Sequence, residues 1–235
     1  MQAIILAGGQ GTRLRPFTTN FPKPLVPLGD RPILEIILKQ LKHYGFHDVI
    51  LAVNHLAELI MAFFQNGENL GLNLTYSMEH KTLGTAGPLS IIDDLEEHFL
   101  VMNGDILTNI NYRDLYDYHI EHDDFATIAT YRKELTIDLG VLEIEEGQFT
   151  NYIEKPKYYF NVSMGLYIFK KSITDFIPHN KKLDLPDLIL KLKENNKKIS
   201  CYKSDYYWLD IGRISDYEEA NNIFEGKRDS FLPHD

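Results

Sequence analysis

Ala3-Ile4-Ile5-Leu6-Ala7-Gly8-Gly9-Gln10-Gly11-Thr12-Arg13-Leu14, followed shortly by Lys23-Pro24, decides how the rest of the chain is read. An apolar, partly β-branched run that stops at glycines has the form of a buried strand ending in a tight turn. Glycines let backbone N–H groups close on an anion, and a loop of this kind cradles phosphates. Arg13 and Lys23 add two cations, so strand, turn and cations together have the form of a triphosphate site. Two familiar glycine motifs are excluded. The pattern Gly-x-Gly-x-x-Gly, started at Gly9, meets Leu14 where its third glycine belongs. The loop Gly-x-x-x-x-Gly-Lys-[Ser/Thr] is absent.

The bulk of the sequence narrows the function classes. Its 235 residues, 44% hydrophobic and 25% charged, suit a globular chain with ample core. With 24 basic against 34 acidic residues the net charge is −10, which argues against a broad nucleic-acid surface. Phosphate-binding cations must then be local, as Arg13 and Lys23 are. Cys201 is the single cysteine, which excludes an internal disulfide and a cysteine metal cluster; it reads as inert packing in a strand. No apolar run approaches the ~18 residues of a membrane span, and the first strand does not read as a cleaved signal. The expected location is cytoplasmic, with no membrane partner.

Strand and helix patterns alternate through the first half. Residues 2–7, 48–53, 72–77, 99–102 and 126–131 read as strands, and 32–44, 56–65, 85–95 and 111–122 as helices, with Asn111 as a cap. That alternation implies a parallel sheet with helices on both faces. Residues 140–145, 149–154 and 164–169 are alternating segments separated by turn residues, which suggests an antiparallel portion. A helix over 185–194, with Asp184 as its cap, a strand over 199–203 and a helix over 214–224 follow. Asn103-Gly104-Asp105 follows a buried strand, at the end of the strand where α/β sheets bind ligands, so Asp105 is placed like a metal ligand. Asp210, in Trp208-Leu209-Asp210-Ile211-Gly212, is a weak signal alone. Tyr158-Tyr159-Phe160 and Tyr206-Tyr207-Trp208 read as core or edge-strand residues more than as sugar platforms, and the nine histidines show no metal-ligand spacing.

The opening segment resembles the signature of the sugar-1-phosphate nucleotidyltransferases, Gly-Gly-x-Gly-Thr-Arg-Leu-x-Pro-x-Thr followed by Lys-Pro. Gly8, Gly9, Gly11, Thr12, Arg13, Leu14, Pro16, Thr18, Lys23 and Pro24 all match. The resemblance implies a Rossmann-like, three-layer α/β fold, with a mainly parallel mixed sheet and a small antiparallel sugar-binding portion. It implies one catalytic domain over 1–235, with a nucleotide-binding half (1–132) and a sugar-phosphate half (133–235), and no C-terminal β-helix. The implied reaction joins an NTP and a sugar 1-phosphate into an NDP-sugar and pyrophosphate. Catalytic roles fall on Arg13, Lys23, Asp105 and Asp210, the two aspartates holding Mg²⁺. Nucleotide contacts fall on Leu6, Ala7, Gly8, Gly9, Gly11, Thr12, Arg13, Glu79, Gly84, Thr85, Ala86, Asn103 and Gly104. Sugar-phosphate contacts fall on Gly140, Glu154, Lys155, Ser163 and Asp210. Ser163 departs from the Asn of many relatives, which leaves the sugar open.

Leu83-Gly84-Thr85-Ala86-Gly87-Pro88-Leu89, read as the start of a helix with exposed backbone donors beside Glu79, is worded most like the mannose and heptose guanylyltransferases, which favours GTP. The alternatives are a UTP-, dTTP- or CTP-using member and a non-catalytic regulatory subunit. The expected partners are the NTP and the sugar 1-phosphate, and the reading leaves room for a homo-oligomer.

Overall fold

The run Ala3–Ile5 is fully buried because it forms the middle of a sheet covered on both faces. Ala3 and Ile5 pack into one apolar cluster and Ile4 into the other, as the two-residue period of a strand requires. The computed structural model describes residues 1–9 and 11–232; Gln10 of the glycine loop lies outside them.

The chain runs β1 (Gln2–Leu6), β2 (Pro27–Leu28), β3 (Arg31–Pro32), α1 (Ile33–His43), β4 (Asp48–Val53), α2 (Ala57–Phe64) and β5 (Asn73–Met78). It continues through β6 (His98–Asn103), β7 (Ile106–Thr108), α3 (Tyr112–Glu121), β8 (Ala126–Thr136), β9 (Gly140–Glu145), β10 (Gln148–Glu154) and β11 (Lys157–Lys170). The last elements are α4 (Leu185–Glu194), β12 (Ile199–Ser204), β13 (Trp208–Asp210), α5 (Ile214–Gly226) and α6 (Arg228–Phe231). A seven-stranded sheet has the order β12-β8-β11-β6-β1-β4-β5. Every neighbouring pair in it is parallel except the two made by β11. Helix α1 places Leu34, Ile37, Leu38 and Leu41 on one face of the sheet, and α4 places Leu185, Leu188 and Leu192 on the other.

Strand order reverses at β1, since β4 and β5 lie to one side and β6 to the other. The crevice at such a switch point opens at the carboxyl ends of the strands. The glycine loop after β1 and Gly104-Asp105 after β6, whose last residue is Asn103, both lie there, joined by the Gly104 N–H donating to the Leu6 carbonyl at 3.0 Å.

Two sequence readings are corrected and one is placed more closely. Residues 85–95 form only a 3-10 turn, Gly87–Ile91, because the Ala86 and Gly87 amides donate to the Leu183 carbonyl (2.9 and 3.0 Å), not into a helix. The segment 164–169 is antiparallel as expected, but within the main sheet: it is the inner end of the fourteen-residue β11, reversed between β6 and β8. The small sheet is the β9–β10 hairpin. Cys201 is exposed, on edge strand β12, and is not packed inside.

Candidate active site

The strand β13 decides where the second aspartate lies. It pairs antiparallel with β7, Asp210 opposite Ile106, and the Ile211 N–H donates to the Asp105 carbonyl at 3.0 Å. Two carboxylates distant in sequence are thereby held side by side. Lys23, buried at the start of a 3-10 turn, forms an ion pair with Asp105 Oδ2. Asp105 Oδ1 is buried and has no hydrogen-bond partner among the described residues. Asp210 keeps one side open to solvent. Crowding by protein on its other side raises its pKa, the charge of Asp105 adds to this, and Lys23 and Arg13 oppose it. An oxygen-only pair with one lone, dry oxygen suits a hard divalent cation that completes its shell with water and phosphate oxygens.

The glycine loop bends over this pair. Gly11 is left-handed (φ +59°), and its carbonyl accepts from the Thr18 hydroxyl at 2.6 Å and the Leu14 N–H at 2.9 Å. Leu14 anchors the loop in the core while Thr12 and Arg13 stay exposed. The Arg13 guanidinium carbon lies 3.9 Å from the place a Cβ on Gly212 would take, with Asp210 Oδ2 at 3.5 Å from the same place. Arg13, Lys23, Asp105 and Asp210 therefore meet at one point.

Beside them is a cavity of about 300 Å³. Leu6, Gly8, Gly9, Glu79, Gly84, Thr85, Asn103 and Asp105 are among the residues that line it. Ala7 and Ala86 are buried, and Gly104 is the link to β1. Glu79 is buried, its carboxyl pKa raised by that burial, and its Oε2 accepts from the Leu83 N–H at 3.1 Å. Its Oε1 would stand 2.9 Å from a Cβ on Gly8, so a side chain there would collide with it. The free backbone donors expected at 83–89 are mostly committed: Thr85 N–H donates to Asp184 Oδ1 (3.1 Å), and Ala86 and Gly87 donate to Leu183. Thr85 Oγ1 in turn accepts from the Leu185 N–H at 2.8 Å, so Asp184 serves Thr85 and not its own helix. Pro88, within the 83–89 segment, also lines the cavity, as do Asn54 and Thr82, which the sequence reading missed. Asn54 directly follows β4, so the strand-end rule applied to Asp105 finds it too.

The residues expected to hold the sugar phosphate lie on an open surface. Gly140 begins β9, and a Cβ there would lie 1.9 Å from the Tyr152 hydroxyl, so any larger residue would displace the exposed Tyr152 ring from its place over Gly140. Glu154 is exposed and accepts from the Tyr152 hydroxyl at 2.9 Å. Lys155, in a left-handed turn (φ +43°), pairs with Asp138 at 2.6 Å. Ser163 Oγ lies 2.9 Å from the Tyr167 hydroxyl and accepts from the Gly165 N–H at 3.2 Å. Tyr158, Tyr159 and Phe160 are exposed, unlike Tyr206, Tyr207 and Trp208, which pack against the core. No helix among the described residues is long and apolar enough to cross a membrane.

The family model for nucleotidyl transferases matches residues 2–226. The chain is 34% identical over 241 residues to a UTP–glucose-1-phosphate uridylyltransferase of Synechocystis sp., covering 94% of this chain and 62% of that protein. It is also 34% identical over 233 residues to mannose-1-phosphate guanylyltransferase 1 of Arabidopsis thaliana, covering 92% and 63% respectively. The chain thus spans a little over three fifths of the length of these curated relatives. The crystal structure of HddC from Yersinia pseudotuberculosis complexed with GMP-PN matches with a TM-score of 0.73 at 25% identity, over 95% of this chain and 99% of that one.

Proposed function

Since the chain belongs to the nucleotidyl transferase family, we propose that it transfers a nucleotidyl group from GTP to a sugar 1-phosphate, giving a GDP-sugar and pyrophosphate. The observation that carries this is the convergence of Arg13, Lys23, Asp105 and Asp210 beside the glycine-loop cavity. A sugar-phosphate oxygen is already anionic at neutral pH, so its attack on the α-phosphorus needs no general base. Alignment and charge neutralisation remain. Gly8, Gly9, Gly11 and Thr12 cradle the phosphates, and Arg13 holds the β- and γ-phosphates that leave as pyrophosphate. Lys23, fixed by Asp105, sits between the attacking and α-phosphoryl oxygens. Lys155 holds the sugar phosphate, Glu154 accepts from sugar hydroxyls, and the Gly140 backbone and Ser163 complete that side. Asp105 and Asp210 fit Mg²⁺, which when bound supplies positive charge to the phosphate oxygens.

Guanine is favoured by Glu79, a buried carboxyl group packed against Gly8 in the lining of the cavity. Guanine brings N1–H and N2–H₂ donors to such an acceptor, whereas uracil and thymine bring one N–H. The guanylyltransferase name and the GMP-PN of the HddC complex point the same way. The uridylyltransferase at equal identity supports UTP as the second reading.

The test is pyrophosphate release from GTP, UTP, dTTP and CTP against a panel of sugar 1-phosphates with Mg²⁺. GTP should lead in kcat/KM by about tenfold or more, since a mismatched base leaves buried polar groups unpaired. A pyrimidine triphosphate leading by that margin overturns the guanine assignment alone. No pyrophosphate from any pair overturns the reaction.

A further inference from the structure

A second cavity, of about 450 Å³, lies on the outer part of the main sheet and is lined by Thr130, Arg132, Tyr159, Asn161, Lys203 and Asp205. Arg132 and Lys203 share this cavity, and neither has an ion-pair partner among the described residues. Arg132 is nonetheless held in place. Its guanidinium lies 4.5 Å above the Tyr159 ring, and the Tyr159 hydroxyl donates to Glu134 at 2.8 Å. Glu134 is neutralised by Lys157 at 2.9 Å and not by Arg132. A guanidinium stacked on a ring keeps its edge N–H groups free for a planar or tetrahedral anion.

This cavity is joined to the nucleotide cavity by a short chain of neighbours. Asn103 lines the nucleotide cavity, and a Cβ on Gly165 would lie 2.7 Å from its Nδ2. Gly165 donates to Ser163 Oγ, and Ser163 stands opposite Thr130 in the β11–β8 ladder. Thr130 is also opposite Lys203 in the β8–β12 ladder, and Arg132 is opposite Asn161. Strand parity puts Thr130, Arg132, Ser163, Asn161 and Lys203 on one face. A residue diagonal to Ser163, as Arg132 is, sits about 7–8 Å away, within the span of one sugar ring with its substituent.

We infer that the Arg132–Lys203 cavity is an anion subsite for the far end of the acceptor, so that the sugar 1-phosphate carries a second negative group, a carboxylate or a phosphate. This rests on the nucleotidyl-transfer reading given above. The 1-phosphate lies at the Lys23–Asp105–Asp210 cluster, the ring crosses Ser163, and the second anion meets Arg132 and Lys203. Asp205, in the same cavity, accepts from a sugar hydroxyl.

The test compares kcat/KM for matched acceptors: glucose 1-phosphate against glucuronic acid 1-phosphate, and mannose 1-phosphate against mannose 1,6-bisphosphate. Each is run with the native chain, Arg132→Gln and Lys203→Gln. One doubly anionic acceptor should exceed its neutral partner by about tenfold or more, as expected for a charge-assisted hydrogen bond. Preference for glucuronic acid 1-phosphate identifies the carboxylate, and preference for the bisphosphate the phosphate. Each substitution should erase most of that advantage while leaving the neutral acceptor and the KM for NTP unchanged, which also reports an intact fold. Neutral acceptors used as well as anionic ones, or variants that lower every acceptor equally, overturn the subsite and leave nucleotidyl transfer standing. No turnover with any sugar 1-phosphate removes the reaction and the subsite together.

Discussion

The two sides of the crevice are built differently. On the side proposed for the nucleotide, Gly11, Glu79 and Thr85 are tied into the fold by buried and half-buried hydrogen bonds. On the side proposed for the acceptor, the β8–β11 arm and the β9–β10 hairpin expose Leu135, Leu139, Leu142, Ile144 and Phe149, with Leu139 at 72%. Its polar contacts are surface pairs such as Lys155–Asp138 and Lys157–Glu134. Buried, committed groups fix geometry before a ligand arrives, whereas exposed ion pairs contribute little and exchange readily with a ligand. The difference teaches that losses on the nucleotide side should strike kcat and those on the acceptor side KM.

The largest effect should come from the carboxylate pair. Asp105→Asn and Asp210→Asn should each lower kcat by on the order of 10³-fold, with the circular dichroism spectrum retained. Near-native kcat in either would break the assignment of the reacting centre.

Next, Arg13→Ala and Lys23→Ala should each cost about 2–4 kcal/mol in transition-state stabilisation, read from kcat/KM. Only Lys23→Ala should also lower the melting temperature, because it leaves Asp105 without its buried partner, whereas Arg13 is exposed. Equal melting temperatures for the two variants would contradict the burial contrast.

How much of this contrast was legible in the sequence depended on how local its causes are. The β1 run and its glycines were readable because a central strand is apolar on both faces. Asn111 was readable as a cap, and its side chain does accept from the Arg113 and Asp114 amides. The stretch 85–95 was misread because its amides are claimed by Leu183, a partner no local pattern reveals. Asp210 is brought beside Asp105 only by the β7–β13 ladder, which sequence spacing does not encode and family resemblance alone suggested. Cys201 was misread because strand propensity does not tell an edge from a centre.

The histidines, given no role from sequence, supply the third test. His119 is fully buried, its Nε2 3.0 Å from His98 Nδ1 and its Nδ1 2.8 Å from Thr127 Oγ1, and that hydroxyl donates to Asp124 at 3.2 Å. Burial, with the charge of His98, depresses its pKa to about 4. An unfolded histidine protonates near pH ~6.5, so between these values the unfolded chain binds a proton that the folded one refuses. Stability should therefore be full above about pH 6.5 and fall by about 2–3 kcal/mol on acidification to about pH 4.5. Urea unfolding at the two pH values checks this, and His119→Gln should flatten the dependence. A dependence unchanged in that variant would place its origin elsewhere.

The smallest effect should be on the acceptor side. Lys155→Ala should raise the KM for sugar 1-phosphate by about tenfold, near the worth of one charged contact, and leave NTP affinity unchanged by calorimetry. Loss of NTP affinity with the sugar phosphate unaffected would put Lys155 in the other pocket.

The most direct measurement of the central claim is phosphorus NMR of the chain with Mg²⁺, GTP and mannose 1-phosphate. The account predicts that the monoester signal of the sugar phosphate is replaced, one for one, by a diphosphate diester and free pyrophosphate, and that Asp105→Asn leaves the spectrum unchanged. Release of orthophosphate without the diester, or the same products from Asp105→Asn, would contradict it.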